Sequence, residues 1–157
     1  MHATPCFWFD NNGEEAIKFY TSLFKDSKVV EISRNGDNGP GPKGTMLTGI
    51  FTILGREYMI LNGGPHFKQT EAASIFVSCD SQKEVDTLWE KLTAGGGEES
   101  MCGWLKDRFG VSWQIVPKRL MELMGDKDPV KANRVMQAML KMRKIECSLL
   151  QQAYDGQ

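Results

Sequence analysis

The sequence predicts an α+β chain in which one pattern, a strand followed by a helix and then a run of strands, occurs twice before a helical tail. Three observations predict it. Two amphipathic stretches superpose at an offset of 69 positions, short strand-like runs precede both, and β-like segments broken by glycine turns follow both. The last third of the chain carries helical spacing instead.

The chain opens with CFWF, an aromatic strand candidate. In DNNGEEAIKFYTSLF, Ala16, Phe19, Tyr20, Leu23 and Phe24 recur at helical spacing, and Asn12 with Glu15 has the form of a capping box. Asp26 and Ser27 end this helix in a polar break. Three strands follow, SKVVEISR, TMLTGIFTI and REYMILN, the last two joined by a tight turn at Leu54-Gly55. NGDNGPGPKGT, residues 35–45, separates the first two; five of residues 39–44 are Gly or Pro, so it cannot be an element interior.

The second occurrence starts in SIFVSCDSQKEVDTLWEKLTAGGG, residues 74–97. IFV is the strand, Ser81 with Glu84 is a second capping box, and Val85, Leu88, Trp89 and Leu92 form the apolar face. The offset places Glu15 on Glu84, Ala16 on Val85, Phe19 on Leu88, Tyr20 on Trp89 and Leu23 on Leu92, and fails where Ile17 meets Asp86. EESMCGWLKD and VSWQIVP read as the following strands, joined through RFG. Setting Gly55 on Gly110 gives an offset of 55 for the closing hairpins, so the first half carries 14 additional residues, assigned to 35–45.

In the tail, KRLMELMGD is a short helix closed by Gly125. Asp128 then caps and Pro129 begins one longer helix, DPVKANRVMQAMLKMRKIECSLLQQAY, with a broad Met-rich side.

Composition narrows the function classes. With 19 basic and 20 acidic residues, a net charge of -1 and no basic stripe, the chain is not expected to bind nucleic acid. No run approaches the ~18–20 apolar residues of a membrane span, and MHATPCFWFD lacks a signal peptide's regions, so a cytoplasmic protein is expected. Cys6, Cys79, Cys102 and Cys147 show no C-x-x-C or zinc spacing and read as small apolar residues in a reducing compartment. Cys102, beside Gly103, is the one expected to be exposed.

TPCFWFDNNGEEAIKFYTSLF, LNGGPHF, GGGEESMCGWLKDRFGVSWQIVP and MQAMLKMRKIE together resemble the PhnB-like (demethylubiquinone methyltransferase-like) group of the vicinal oxygen chelate superfamily, which includes glyoxalase, bleomycin-resistance and extradiol-dioxygenase proteins. The resemblance implies one glyoxalase-like domain over 1–157. Two βαβββ modules, at 4–63 and 74–117, would form a half-open curled sheet around a cavity. A C-terminal helical extension would occupy 118–155, and a homodimer is common in the group.

Metal-dependent relatives hold a divalent ion through His, Glu or Gln on the opening and closing strands of each module. The closing position of module two falls on Gln114, because DRFGVSWQIV resembles the relatives' D-x-x-G-x-x-x-E ending. Carried back by 55 residues it falls on Met59, and the opening positions fall near Pro5 and Ser74. A one-residue shift would offer Thr4, Cys6, Tyr58 or Ile60 instead. Neither set suits Mn, Fe, Ni or Zn, so no metal is expected.

Other candidates are weighed residue by residue. His66, in LNGGPHFK, lies outside all four metal positions; it reads as a structural or exposed side chain, with acid/base or substrate contact at the cavity rim as the alternative. Gly63 and Gly64 suit a hinge between halves. On VSWQIVP, Gln114 and Trp113 must point to opposite faces, and Trp89 belongs to the core. Trp8 and Trp104 are candidates for a cavity wall, with core positions as the alternative, and Asn62 is a further polar candidate. Lys106, Asp107 and Arg108 are polar candidates too; they read first as an exposed turn, with ligand contact as the alternative. GDNGPGPKG and AGGGEE follow the wrong elements for a methyl-donor loop and lack G-x-G-x-x-G, and Lys43-Gly44-Thr45 inverts a P-loop's order, so no cofactor is expected.

The leading expectation is metal-independent binding of a small, partly aromatic or apolar molecule in the cavity, through Trp8, Asn62, His66, Trp104 and Gln114. A metal-dependent lyase, isomerase or dioxygenase, with Gln114 joined by His66 or Glu57, is the alternative. A non-catalytic interaction protein using its Met-rich C-terminal helix is the third.

Overall fold

The computed structural model describes residue 1 and residues 3–157. The chain forms two compact units, Met1–Gln69 and Thr70–Gln157. In the first, β1 (Cys6–Phe9), α1 (Gly13–Leu23), β2 (Lys28–Arg34), β3 (Met46–Ile53) and β4 (Arg56–Asn62) make one βαβββ module. The second repeats this with β5 (Ser74–Cys79), α2 (Gln82–Thr93), β6 (Glu98–Glu99), β7 (Trp104–Lys106) and β8 (Ser112–Pro117). It then adds α3 (Lys118–Met124), α4 (Pro129–Met139) and α5 (Cys147–Asp155). The sheets have matching orders, β1-β4-β3-β2 and β5-β8-β7-β6, with the opening and closing strands parallel in each. The expected α+β class with two βαβββ modules and a helical extension is the observed one.

In each unit the helix covers one sheet face. Phe7 stacks on Tyr58, Tyr58 on Phe51 and Phe51 on Tyr20 of α1, with ring centroids 6.3, 5.8 and 6.1 Å apart. Ala16, Ile17 and Ile60 complete this core at full burial. In the second unit Val85, Leu88, Trp89 and Leu92 of α2 are buried, as are Leu105, Trp113 and Ile115 of the sheet. Strand alternation then assigns Cys6, Trp8, Met59 and Leu61, and in the second unit Ser74, Phe76, Trp104, Lys106, Ser112 and Gln114, to the faces turned away from the helices.

The helix offset of 69 holds, but the opening strands are related by 70. Cys6 opposes Met59 and Phe76 opposes Gln114, while the link from β1 to α1 has one residue more than that from β5 to α2. The two closing hairpins also differ: Leu54-Gly55 is a two-residue turn with both φ positive, whereas residues 107–111 form a wider loop.

Four expectations about elements are corrected. Asn12 sits at the start of α1 but makes no side-chain cap. The amide of Asn62 supplies it instead, its Oδ1 accepting from Gly13 N–H at 3.0 Å. EESMCGWLKD is not one strand but β6 and β7, parted at residues 100–103, where Cys102 and Gly103 take φ of 60° and 82°. The long C-terminal helix is two helices. Residues 140–146 leave the helical path because the carbonyls of Met142 and Arg143 accept from Cys102 and Gly103 N–H at 2.7 and 2.8 Å, while Ile145 is fully buried. Finally, Asp107 of the supposedly exposed turn is 2% exposed.

Local signals elsewhere act as read. Ser81 Oγ accepts from Glu84 N–H at 3.3 Å, and Glu84 Oε2 accepts from Asp80 N–H at 2.7 Å, one residue upstream of the expected donor. Asp128 Oδ1 accepts from Val130 and Lys131 N–H, with Pro129 at the first helical position. Residues 35–45 form a loop folded on Asn35, whose side chain donates to Thr45 Oγ1 at 3.0 Å and accepts from Gly41 N–H at 3.3 Å. Among the described residues no helix is long and apolar enough to cross a membrane.

Candidate functional site

The four positions where relatives carry metal ligands fall into one pair per unit. In the first, Met59 N–H donates to Pro5 O at 2.9 Å, so the closing and opening positions touch through backbone. Parity puts Cys6 and Thr4 beside Met59 on the face away from α1, and Thr4 Oγ1 donates to Glu57 Oε1 at 2.9 Å. In the second, Gln114 Nε2 donates to Ser74 Oγ at 2.9 Å. A thioether, a thiol, an amide and two hydroxyls are a poor donor set for a hard or borderline divalent ion. Among the described residues no three His, Cys, Asp or Glu side chains converge where they could hold one.

Of the sequence candidates in the first unit, two have evident structural duties. Trp8 Nε1 donates to Gly64 O at 2.8 Å, and Phe67 meets its ring edge-on at 4.9 Å. Gly63 passes so close that a Cβ there would lie 2.2 Å from Trp8 Cζ2. The hinge segment is therefore fastened back onto β1. Asn62 is fully engaged: besides accepting from Gly13, its Nδ2 donates to Met46 O at 3.0 Å and Asn11 O at 3.3 Å. His66 is exposed in a turn and makes no hydrogen bond among the described residues.

The second unit brings two candidates together. Trp104 lies directly across from Gln114 in the β7–β8 ladder, and both are half-buried. The same sheet face borders a cavity of about 360 Å³ whose walls include Trp104, Lys106, Ser112, Glu71 and Glu98. Lys106 forms an ion pair with Glu71, and that ammonium holds the Glu71 carboxyl below its ordinary range. Ser112 is 1% exposed, and its hydroxyl has no hydrogen-bond partner among the described residues. Sequence reasoning missed Ser112 and Glu98 because only strand register brings them to one place, and Glu71 because it reaches Lys106 from the turn before β5.

Behind that wall, Asp107 organises the closing hairpin. Its Oδ1 accepts from Phe109 N–H at 2.9 Å and Val111 N–H at 3.1 Å, and its Oδ2 from Trp113 Nε1 at 2.8 Å. The Trp113 ring is thereby fixed on the helix side and Gln114 on the other. Burial pushes the Cys79 thiol up to about 12 and raises Cys6 and Cys147 as well, so none of these three is an activated thiolate. Cys6, rather than Cys102, is the exposed one; Cys102 is half-buried.

The family model described as 3-demethylubiquinone-9 3-methyltransferase matches residues 1–116, leaving the C-terminal helices outside it. A Bacillus cereus PhnB protein, provisionally described as a 3-demethylubiquinone-9 3-methyltransferase, is 38% identical. Its structure superposes with a TM-score of 0.69, covering 74% of this chain and 99% of that one. A Pseudomonas aeruginosa protein, 22% identical, has the same fold at a TM-score of 0.62, covering 74% of this chain and 97% of its own. A glyoxylase/bleomycin resistance protein/dioxygenase domain from a Frankia species is 13% identical, with a TM-score of 0.46, over 74% of this chain and 91% of that one. No curated protein matches the chain.

Proposed function

Since the chain belongs to the PhnB-like, 3-demethylubiquinone-9 3-methyltransferase family within the vicinal oxygen chelate superfamily, we propose that it binds a small, partly aromatic molecule without a metal ion. The observation that carries this reading is the Trp104–Gln114 pair. Gln114 stands where metal-dependent relatives use a carboxylate, its amide turned to Ser74, and Trp104 across the ladder from it lies on the wall of a cavity. A cavity of this size with one aromatic wall and a few fixed polar groups suits a ring-sized ligand. Binding is assigned to the Trp104 and Gln114 side; Asn62, and Trp8 through its N–H, serve the scaffold, and His66 remains open to solvent.

Methyl transfer, which the family's description names, is not carried over to this chain. The link that follows β1 is Asp10-Asn11-Asn12 and the one that follows β5 is Asp80-Ser81, neither of them a glycine loop that could cradle a methyl donor. A homodimer, by analogy with the group, and a cytoplasmic setting, from the sequence, complete the proposal.

Thermal-shift screening of small aromatic compounds, followed by calorimetry, tests the reading. A compound that raises the melting temperature equally before and after chelator treatment, and loses affinity in Trp104→Ala, is the expected result. Tight, stoichiometric uptake of Mn, Fe, Ni or Zn would overturn it. Light scattering at several concentrations tests the dimer.

A further inference from the structure

The cavity of the second unit is specific enough to suggest a ligand class, which deepens the reading above and rests on it. Its walls carry three carboxylates and one ammonium. Glu71 is taken by Lys106, and Glu99 accepts from Trp89 Nε1 at 2.8 Å and lies 3.7 Å from Arg143. Glu98 stands opposite Lys106 in the β6–β7 ladder, is exposed, and makes no hydrogen bond or salt bridge among the described residues. Glu98 also acts on the Lys106 ammonium opposite it, so the three carboxylates share Lys106 and Arg143 and one negative charge is in excess.

A second, independent feature lies deeper. Ser112 pairs with Lys106 across the β7–β8 ladder, is almost wholly buried, and lines the same cavity with a hydroxyl that has no partner. A buried hydroxyl left unsatisfied destabilises the fold, a cost that a ligand's polar group would remove. Lys106 stands between the two in the ladder, and on the same face, two residues earlier on β7, Trp104 contributes an indole whose N–H is likewise without a hydrogen bond among the described residues. An ammonium near an indole face and a carboxylate gains from both.

We propose that this cavity receives a small aromatic amine, with its ammonium at Glu98, its ring against Trp104 and a polar group at the far end hydrogen-bonded to Ser112 Oγ. A neutral phenol gains only the second and third contacts, and an aromatic acid of the same size is repelled by Glu98.

Calorimetry on the full chain with tyramine, p-cresol and 4-hydroxyphenylacetate tests this. Tyramine is expected to bind about tenfold or more tightly than either of the others, a difference of ~1.4 kcal/mol. Glu98→Gln is expected to erase that preference. Ser112→Ala is expected to weaken tyramine about fivefold while leaving the melting temperature of the free protein unchanged or higher, since an orphaned polar group is removed. A Ser112→Ala variant that melts lower and binds tyramine unchanged would refute the role of Ser112. Equal binding of all three compounds, or binding of p-cresol without tyramine, refutes the amine class and leaves the broader reading standing. Failure of all three up to millimolar concentration, with no aromatic hit in the screen, brings down both.

Discussion

The amide oxygen of Asn62 lies 3.0 Å from the backbone nitrogen of Gly13, joining the end of β4 to the first turn of a helix 49 residues earlier. The contact is possible only because residue 13 has no side chain: a Cβ there would lie 2.4 Å from Ile60 Cγ2 and 2.5 Å from Asn62 Oδ1. Asn62→Ala should therefore cost about 1–2 kcal/mol, as loss of a helix cap does, and Gly13→Ala about 1–3 kcal/mol through overpacking. Chemical denaturation measures both. Neither variant should change ligand affinity, and a binding loss in Asn62→Ala at full folding would return Asn62 to the ligand site.

Asp107 is the second scaffold residue whose loss should be felt. In Asp107→Asn, the Oδ1 acceptor survives, but an amide N–H₂ turned to Trp113 would meet another donor. A loss of ~1–3 kcal/mol is expected, equal to several degrees in melting temperature. A change in Trp113 fluorescence should accompany it; an unchanged spectrum and midpoint would show that the carboxylate is dispensable.

Acid should weaken the first unit in a defined window. Arg34 and Lys18 hold the Glu14 carboxyl down to about 2, against an ordinary 4.5, through bonds at 2.8, 3.1 and 2.9 Å. Because the folded value is the lower one, the contribution is complete above the unfolded value and disappears as pH falls from about 4.5 to about 2. The group is near the surface, so no more than about 1 kcal/mol is at stake. Glu14→Gln should flatten the stability profile across that window, lying below the parent by no more than about 1 kcal/mol at neutral pH and meeting it near the acid end; parallel profiles for variant and parent would contradict this.

Gly103 couples the C-terminal extension to the cavity wall. Its φ is 82°, and a Cβ would lie 2.8 Å from Ile145 Cδ1 and 2.9 Å from Ile115 O. Gly103→Ala should destabilise the second unit by more than ~1 kcal/mol and raise hydrogen exchange at Cys102 and Gly103, whose N–H groups bond to Met142 and Arg143. Unchanged exchange there would mean that the extension does not brace this wall.

The sequence by itself determined whatever depends on neighbours within a few residues. The amphipathic faces of α1 and α2, the Ser81–Glu84 cap, the Asp128-Pro129 helix start and the opposite pointing of Trp113 and Gln114 follow from helical and strand periods and short-range hydrogen bonds. The long motifs also carried the family, and with it the positions of Met59 and Gln114. Tertiary structure decided the rest, because a polar group takes the best partner the whole fold offers, however distant along the chain. Asn62 displaced Asn12 as the cap of α1, and Cys102 and Gly103 drew the carbonyls of Met142 and Arg143 away from a continuous helix. Asp107 left an apparent surface turn for three donors, two of them buried. Register alone set Ser112, Lys106 and Glu98 around one cavity, an arrangement that no spacing in the sequence encodes.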